Sequence, residues 1–263
     1  MNNMTIKSNG VLMAFSIILL ASCTKSHNDH QYVDLGLSVL WATCNIGASA
    51  PEEYGDYFAW GATEPFYKTG YAQENPQQHW KKGKELGYTC VNAPYQTVKT
   101  TQHILTRWSK YGKDINSVYI DANAIPEEVM KEILDPEDDA AHAIWGGEWR
   151  IPTQKEIDEL LKYCVWMKTK QNGIEGLKVR SKVAGHTNDW IFIPLSGFYT
   201  DYGIAQANDN GYFWSSSVCT FSPGSAECLH LRPHGKIQVL RNRMTRYSGL
   251  PIRPVLPKTA IQK

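Results

Sequence analysis

A local cluster of basic and aromatic side chains lies near the C-terminal end of the chain. It consists of Arg241, Arg243, Arg246 and Tyr247. Guanidinium groups bind carboxylates in a bidentate manner and stack on flat rings, so the cluster could hold an acidic glycan. We predict that it lies on a loop between the last two strands and forms a ligand site. A solvated turn without a ligand is the alternative.

Cys23 is the residue with the most specific sequence context. It directly follows Leu20-Ala21-Ser22, an order that looks like a bacterial lipobox, in which the cysteine thiol receives a lipid. The preceding apolar run, Val11 to Leu20, is ten residues long, whereas crossing a bilayer takes about 20. We predict a lipoprotein signal peptide at 1–22, with Cys23 anchored to the bacterial outer membrane or cell surface. An ordinary signal peptide with an accidental cysteine is the alternative.

The other five cysteines could form disulfides, because an exported chain meets an oxidising compartment. Cys219 and Cys228 flank a turn-rich loop and are the first predicted pair. Cys44 ends an apolar run and Cys164 falls on the expected buried face of a helix, which makes them the second candidate pair. Both could instead be small buried hydrophobes. Cys90 lies in a polar insert and remains as the odd thiol.

Two groups of possible metal ligands are better explained in other ways. Acids in the first turn of a helix fan around its axis, so we predict helix capping and no calcium at Asp135, Glu137, Asp138 and Asp139. A flexible segment is not preorganised for a metal ion, so we predict none at His27, Asp29 and His30.

Enzyme motifs are missing from the sequence. The chain contains no G-x-S-x-G, H-E-x-x-H, G-x-x-x-x-G-K or G-x-G-x-x-G. Aromatic residues beside strands are more often core than site, so we predict structural roles for Trp149, Arg150, Trp214 and Arg253. We therefore predict no catalytic residue and no cofactor.

Composition narrows the possible classes of protein. A chain of 263 residues forms one large domain or two small ones. With 27 basic and 26 acidic side chains, it lacks a chain-wide footprint for nucleic acid. Nine Trp, 14 Tyr, 20 Gly and 13 Pro favour short strands joined by turns.

The first part of the mature chain combines a polar segment with short strands. Residues 24–31 are polar and lack periodicity, which predicts a flexible tether after the lipidated cysteine. The pattern over 32–45 predicts a strand pair that turns at Gly36, and 57–60 predicts another short strand. Residues 62–108 lack a pattern and predict a long surface insert.

Helical patterns occupy the middle of the chain. One helix is predicted to begin at Pro126, and a second has Asp135 as its N-cap and reaches Trp145. A third begins with a capping box formed by Thr153 and Glu156.

Short strands follow residue 170, with a hairpin tip at His234-Gly235. They are predicted at 177–181, 190–195, 211–217, 227–232, 237–241 and 252–255. Helices packed on a mostly antiparallel sheet predict an α+β architecture.

Several long blocks together resemble the FISUMP domain, the "major paralogous domain" of exported bacterial proteins. They are YVDLGLSVLWATCNIGASAPEEYGDYFAWG at 32–61, LDPEDDAAHAIWGGEWRIPTQKEIDELLKYC at 134–164, a stretch within 166–173, IFIPLSG at 191–197, YFWSSS at 212–217 and RYSGLPIRPV at 246–255. The chain departs from the pattern at Leu40, in the insert 62–108, and at Cys90, Cys219 and Cys228.

The resemblance implies one FISUMP domain over 32–256, followed by a tail at 257–263. It also implies a variant of the C-type-lectin-like fold, with short antiparallel strands, two or three helices and long loops. That fold usually binds ligands through loops, so the resemblance implies a surface-associated binding protein. In the related formylglycine-generating enzymes, a cysteine pair near the C-terminus is catalytic, and Cys219 and Cys228 could imitate it.

These observations predict a non-catalytic lipoprotein of the cell envelope that acts in binding or adhesion. Its expected partner is a carbohydrate or a cell-surface protein, its contact with the membrane is the lipid anchor, and nucleic acid is not a partner. The first alternative is a structural or assembly component of the envelope. The second is a relative of the formylglycine-generating enzymes.

Overall fold

The computed structural model describes residues 24–65, 132–200, 203–219, 225–246 and 248–261. Several predicted features lie outside these residues. They are the signal peptide, Cys23, most of the insert 62–108 with Cys90, the helix predicted from Pro126, and Tyr247.

Strands dominate the regular structure of the described residues, which hold twelve β-strands and two α-helices. In chain order these are β1 (Lys25–His27), β2 (His30–Val33), β3 (Val39–Ala42), α1 (Ala140–Trp145), α2 (Gln154–Tyr163), β4 (Cys164–Gln171), β5 (Ile174–Ser181), β6 (Trp190–Pro194), β7 (Phe198–Thr200), β8 (Gly203–Ala205), β9 (Gly211–Val218), β10 (Ser225–Arg232), β11 (Gln238–Thr245) and β12 (Val255–Pro257). The strand orders of the four sheets are β1-β2-β3-β12, β11-β10-β9, β4-β5-β6 and β7-β8.

The predicted α+β, C-type-lectin-like fold with two or three helices is wrong. The structure is mostly β, with 44% strand, two α-helices and four small antiparallel sheets that do not close into a barrel within the described residues. One reason is that α2 ends at Tyr163 and an unpredicted eight-residue strand, β4, begins at the next residue. The other is that a 3-10 turn, Pro136–Asp138, replaces the predicted first turn of α1.

The turn between β4 and β5 consists of Asn172 and Gly173. Their φ angles are 47° and 84°, and two successive positive φ angles are typical of a two-residue hairpin turn. Asn-Gly between two strands is the strongest short signal for such a hairpin. This signal could have revealed β4, because it requires a strand on each side.

The segment predicted as a flexible tether is a β-hairpin, so that prediction is wrong from residue 25 onward. β1 and β2 pair antiparallel, and Asn28 and Asp29 form the turn with φ angles of 47° and 62°. The hairpin is fixed to the domain because the ring of His30 stacks on Trp145, with 3.8 Å between ring centroids. Trp149 Nε1 also donates a hydrogen bond to the carbonyl of His27 at 3.2 Å.

Helix α2 begins as predicted. The Thr153 hydroxyl accepts a hydrogen bond from the backbone N–H of Glu156, and the Glu156 carboxylate accepts one from the backbone N–H of Thr153. Ile157 and Leu160 of this helix are buried in the core. The capping box and the buried position of Cys164 were both predicted from local patterns, and both are confirmed.

Helix α1 is capped by a different acid from the one predicted. The side chain of Asp135 makes no cap hydrogen bond. Instead, Asp139 accepts hydrogen bonds from the backbone N–H groups of Ala141 at 2.8 Å and His142 at 3.2 Å. Its second oxygen accepts from the N–H of Ile151 at 2.8 Å, so Asp139 joins the start of α1 to the chain before α2. Because of this long-range contact, Asp139 and not Asp135 is the N-cap of α1.

The sheet of β9, β10 and β11 lies between two parts of the core. On one face, Trp214 and Cys228 pack in a cluster that contains Trp60. On the other face, Phe213 and Leu229 pack in the cluster that contains residues of α2. β9 and β10 are therefore covered on both faces, whereas half the residues of β11 at the edge are exposed.

Candidate functional site

The strands β10 and β11 form a hairpin, Ser225–Thr245, that carries most of the candidate ligand residues. Arg232 pairs with Gln238 at the last position of the ladder, and Gly235 lies in the connecting turn with a φ angle of 64°. The predicted hairpin tip at His234-Gly235 is therefore confirmed. The hairpin contains four basic side chains, Arg232, Lys236, Arg241 and Arg243, and one acidic side chain, Glu227. We call it the basic hairpin.

Arg241 and Arg243 lie on a strand and not on a loop, so the predicted loop position is wrong. They are two residues apart on β11, which places both on the same face of the sheet. Both are exposed. Arg241 Nη1 lies 3.4 Å from Asp158 Oδ2 on α2, with 54% and 42% of the two side chains exposed. Arg243 forms no ion pair within the described part of the chain, so its charge is available to a partner.

Arg246 is excluded from the candidate site, and its predicted ligand role is wrong. It is only 1% exposed, and its guanidinium lies 4.6 Å from the ring centroid of Trp60. Its Nε also donates a hydrogen bond to the carbonyl of Ser225 at 3.2 Å. Arg246 therefore has a structural role inside the core. Tyr247, the fourth member of the predicted cluster, lies outside the described residues.

The opposite face of the basic hairpin contains a buried histidine. The ring of His230 stacks on Tyr212, with 4.1 Å between centroids, and its Nδ1 lies 3.1 Å from the side-chain amide of Asn242. Burial lowers the pKa of His230 to about 4, and the nearby charge of Arg232 acts in the same direction. His230 is therefore neutral at physiological pH and adds no charge to the hairpin.

The two edge strands of the β9–β11 sheet differ in their backbone hydrogen bonds to other segments. The edge at β9 is covered by other segments: Val218 N–H donates to the carbonyl of Glu132, and Ser216 N–H donates to the carbonyl of Pro152. The edge at β11 makes no backbone hydrogen bond to any other described segment except at its end, where Thr245 accepts from Ser248. Among the residues that the structure describes, β11 is therefore an open edge strand, and it displays two arginines.

Two further basic residues of the hairpin were not predicted as site residues. Arg232 and Lys236 are exposed on either side of the turn. The strand–turn–strand pattern around His234-Gly235 could have assigned them to the same hairpin as Arg241 and Arg243.

The predicted disulfides are not formed, because all four described cysteines are free thiols. Cys219 directly follows β9, and its N–H donates to the carbonyl of Ser225 at 3.4 Å. Ser225 precedes Cys228 by three residues, which corresponds to about 10 Å along a strand. A disulfide requires Cα atoms within about 7 Å, so the Cys219–Cys228 pairing is wrong for geometric reasons. These two buried thiols also do not form the adjacent pair on which the enzyme alternative depended.

The predicted disulfide between Cys44 and Cys164 is not formed either. Cys44 is partly exposed, and its thiol lies 3.6 Å from the hydroxyl of Thr43. Cys164 packs in the core beside α2, and burial raises the pKa of its thiol to about 12. Cys164 therefore behaves as a small buried hydrophobe, which was the alternative considered from the sequence.

Three of the four acids before α1 do not fan around a helix axis. The ligand atoms of Asp135, Glu137 and Asp138 lie within 4.8 Å of one another, because Asp135 directly precedes a 3-10 turn that contains the other two residues. Acidic groups of this kind are common without an ion, and we assign no metal site to them. Asp139 is separate and caps α1.

The structural roles predicted from the sequence for two tryptophans and two arginines are confirmed. These residues are Trp149, Arg150, Trp214 and Arg253. Trp149 and Trp214 are fully buried, and Trp214 Nε1 donates to the carbonyl of Phe58 at 2.7 Å. Arg150 forms a salt bridge with Glu156 of the capping box. Arg253 is buried and donates hydrogen bonds to three oxygens of the chain at 42–45.

No family model, curated protein or solved structure matches the chain. Among the described residues, no helix combines the length and apolar character needed to cross a membrane.

Proposed function

We propose that the chain is a lipid-anchored protein of the bacterial cell envelope that binds an anionic partner through the basic hairpin. The observation that carries this proposal is the exposed charge of β11. Arg241 and Arg243 lie on one face of an open edge strand, in a hairpin with four basic side chains and one acidic one. The partner class is an acidic carbohydrate or an acidic protein surface.

The envelope location rests on the lipobox that ends at Cys23 and on the resemblance to the FISUMP blocks. The structure supports close attachment, because β1 begins at Lys25, two residues after the anchor position. Two residues of extended chain span at most about 7 Å. A lipid on Cys23 would therefore hold the β1–β2 hairpin beside the lipid headgroups.

An envelope assembly component is the second candidate function. It is supported by the open edge of β11, because open edge strands are sites at which another protein can add a strand. The two candidates share the basic hairpin and differ in the chemistry of the partner.

Binding to acidic polysaccharides tests the proposed function. The full chain would be compared with an Arg241→Glu, Arg243→Glu variant on immobilised polygalacturonate and chondroitin sulfate, at low and high salt. The matched control is Lys168→Glu, Lys170→Glu on β4, which changes the net charge by the same amount on another eight-residue edge strand. Loss of binding in the arginine variant alone supports the proposal. Equal binding by all three proteins, to these polysaccharides and to acidic peptides, would contradict it.

A further inference from the structure

The open edge of β11 has a defined set of outward backbone groups. In an antiparallel ladder, alternate residues direct their N–H and C=O groups towards the neighbouring strand, and the others direct them away. Arg243 N–H donates to the side chain of Asn242, and the carbonyl of Thr245 accepts from Ser248, so both groups point outside the ladder with β10. The odd-numbered residues therefore point outward. Within the described part of the chain, both backbone groups of Val239 and Arg241 and the carbonyl of Arg243 have no backbone partner.

The same odd-numbered residues carry the exposed charge. The side chains of Arg241 and Arg243 lie on one face of β11, together with Val239, which packs on the core beside α2. The even-numbered residues lie on the other face, where Leu240 is 40% exposed. A strand that pairs with β11 would therefore meet two cations on one face and an apolar side chain on the other.

Charge selects among the possible occupants of this edge. A second copy of the chain would bring two more arginines and no acidic residue to this edge, and antiparallel pairing centred on Asn242 would place Arg241 of one copy opposite Arg243 of the other. Like charges directly opposite each other destabilise a strand pair, whereas opposite charges stabilise it. The favoured occupant is therefore an extended segment with acidic residues at alternate positions and apolar residues between them.

We infer that β11 binds an acidic extended segment of a partner protein by antiparallel strand addition, with carboxylates opposite Arg241 and Arg243. The inference rests on the proposed function and specifies its partner as a protein. The partner's backbone bonds to the outward groups of residues 239–243. Its first carboxylate competes with Asp158 for Arg241, and its second binds Arg243. All sheets of the described chain are antiparallel, and antiparallel pairing is the more stable per residue.

A dye-labelled peptide of four Glu-Val repeats, with blocked ends, tests this pairing on the full chain in mild detergent. Fluorescence anisotropy would measure its affinity. Residues opposite Arg241 and Arg243 direct their own backbone groups towards β11, so methylation of the Glu amides should weaken binding at least tenfold. Methylation of the Val amides should not, because those N–H groups point away. Hydrogen exchange at Val239 and Arg241 should slow when the unmodified peptide binds.

Protein variants provide the second arm of the test. Arg241→Glu, Arg243→Glu should weaken peptide binding at least tenfold, whereas Lys168→Glu, Lys170→Glu on β4 should leave it unchanged. If the glutamate variant fails to fold, Arg241→Gln, Arg243→Gln replaces it, and the methylated peptides need no variant. Equal binding of the two methylated peptides, or no peptide binding, would overturn strand addition. Arginine-dependent binding of polygalacturonate without peptide binding would overturn this inference and leave the proposed function standing.

Discussion

Arg253 donates a hydrogen bond from Nε to Oδ1 of Asn45 at 2.7 Å, and both residues are buried. Nη1 of Arg253 also donates to the carbonyls of Ala42 and Thr43. A buried cation is thus held by neutral oxygens, and burial lowers its pKa to about 10. This contact ties the chain after β3 to the chain before β12.

Asn45→Ala should therefore destabilise the protein. The substitution removes the acceptor of Arg253 Nε and the donor to the carbonyl of Tyr54, and it leaves buried polar groups unsatisfied. We expect a loss of about 2–3 kcal/mol in the free energy of unfolding, measured by urea denaturation. The control is Asn210→Ala, because that side-chain amide bonds to Gln206 in an exposed position. Similar losses in both variants would contradict the structural role of Arg253 and Asn45.

His230 should make stability depend on pH. Its folded pKa of about 4 lies below the ordinary value of 6.5, so the unfolded chain binds more protons between these two values. Stability is then fully present above pH 6.5 and falls as the pH drops towards 4, by a total of about 3 kcal/mol.

The comparison between wild type and His230→Phe isolates this contribution. Phenylalanine keeps the stacking on Tyr212 but does not titrate. Urea denaturation at several pH values should show that the stability difference between the two proteins changes between pH 6.5 and 4 and is constant above pH 6.5. A constant difference over the whole range would show that His230 titrates normally in the folded protein.

Two glycines with similar backbone angles should respond differently to alanine. Gly173 has a φ angle of 84°, and an added Cβ would meet no atom within 4 Å. Gly173→Ala should therefore cost only the left-handed backbone penalty, about 1–2 kcal/mol. Gly197 has a φ angle of 63°, and its Cβ would lie 2.2 Å from the carbonyl oxygen of Ala205. Gly197→Ala should be clearly more destabilising in thermal unfolding, and equal effects would mean that the chain around Ala205 yields easily.

Cys219 and Cys228 should remain unlinked under oxidising conditions. Cys219 directly follows β9 opposite Ser225, which is too far from Cys228 on β10 for a disulfide without movement of the strands. Mass spectrometry of unreduced peptides should recover the two cysteines in separate peptides after alkylation in denaturant. A linked peptide would show that the ladder shifts when the protein is oxidised.

Cys23→Ala should release the protein from the membrane fraction, because it removes the thiol that we propose accepts the lipid. The matched control is Cys44→Ala, which removes a partly exposed thiol within the folded domain and should leave the protein attached. Fractionation and immunoblotting measure both. Retention of the Cys23 variant would count against the lipid anchor.

Local patterns predicted several features correctly. The capping box of Thr153 and Glu156, the turn at Gly36 and the hairpin tip at Gly235 depend on residues close together in the chain. Such features are encoded by hydrogen bonds and backbone preferences over a few residues. They were therefore accessible without the fold.

Other features depend on residues that are distant in the sequence. Asp139 caps α1 in place of Asp135, and it also accepts a hydrogen bond from the distant N–H of Ile151. Arg246 is buried because its guanidinium packs on the ring of Trp60. The predicted Cys219–Cys228 disulfide is wrong because two cysteines that flank a short loop in the sequence need not lie opposite each other in the paired strands. The fold class failed in part because the chain changes from helix to strand at Cys164.

The sequence by itself determined the hairpin tip at His234-Gly235, whereas only the structure placed Arg241 and Arg243 on one face of the strand that follows it. Only the tertiary structure decided that β11 lies at an open edge while β9 is covered by Glu132 and Pro152. The physical reason is that a hairpin turn depends on the backbone preferences of a few neighbouring residues, whereas the length of a strand and the hydrogen bonding of its edge depend on which distant segments pack beside it.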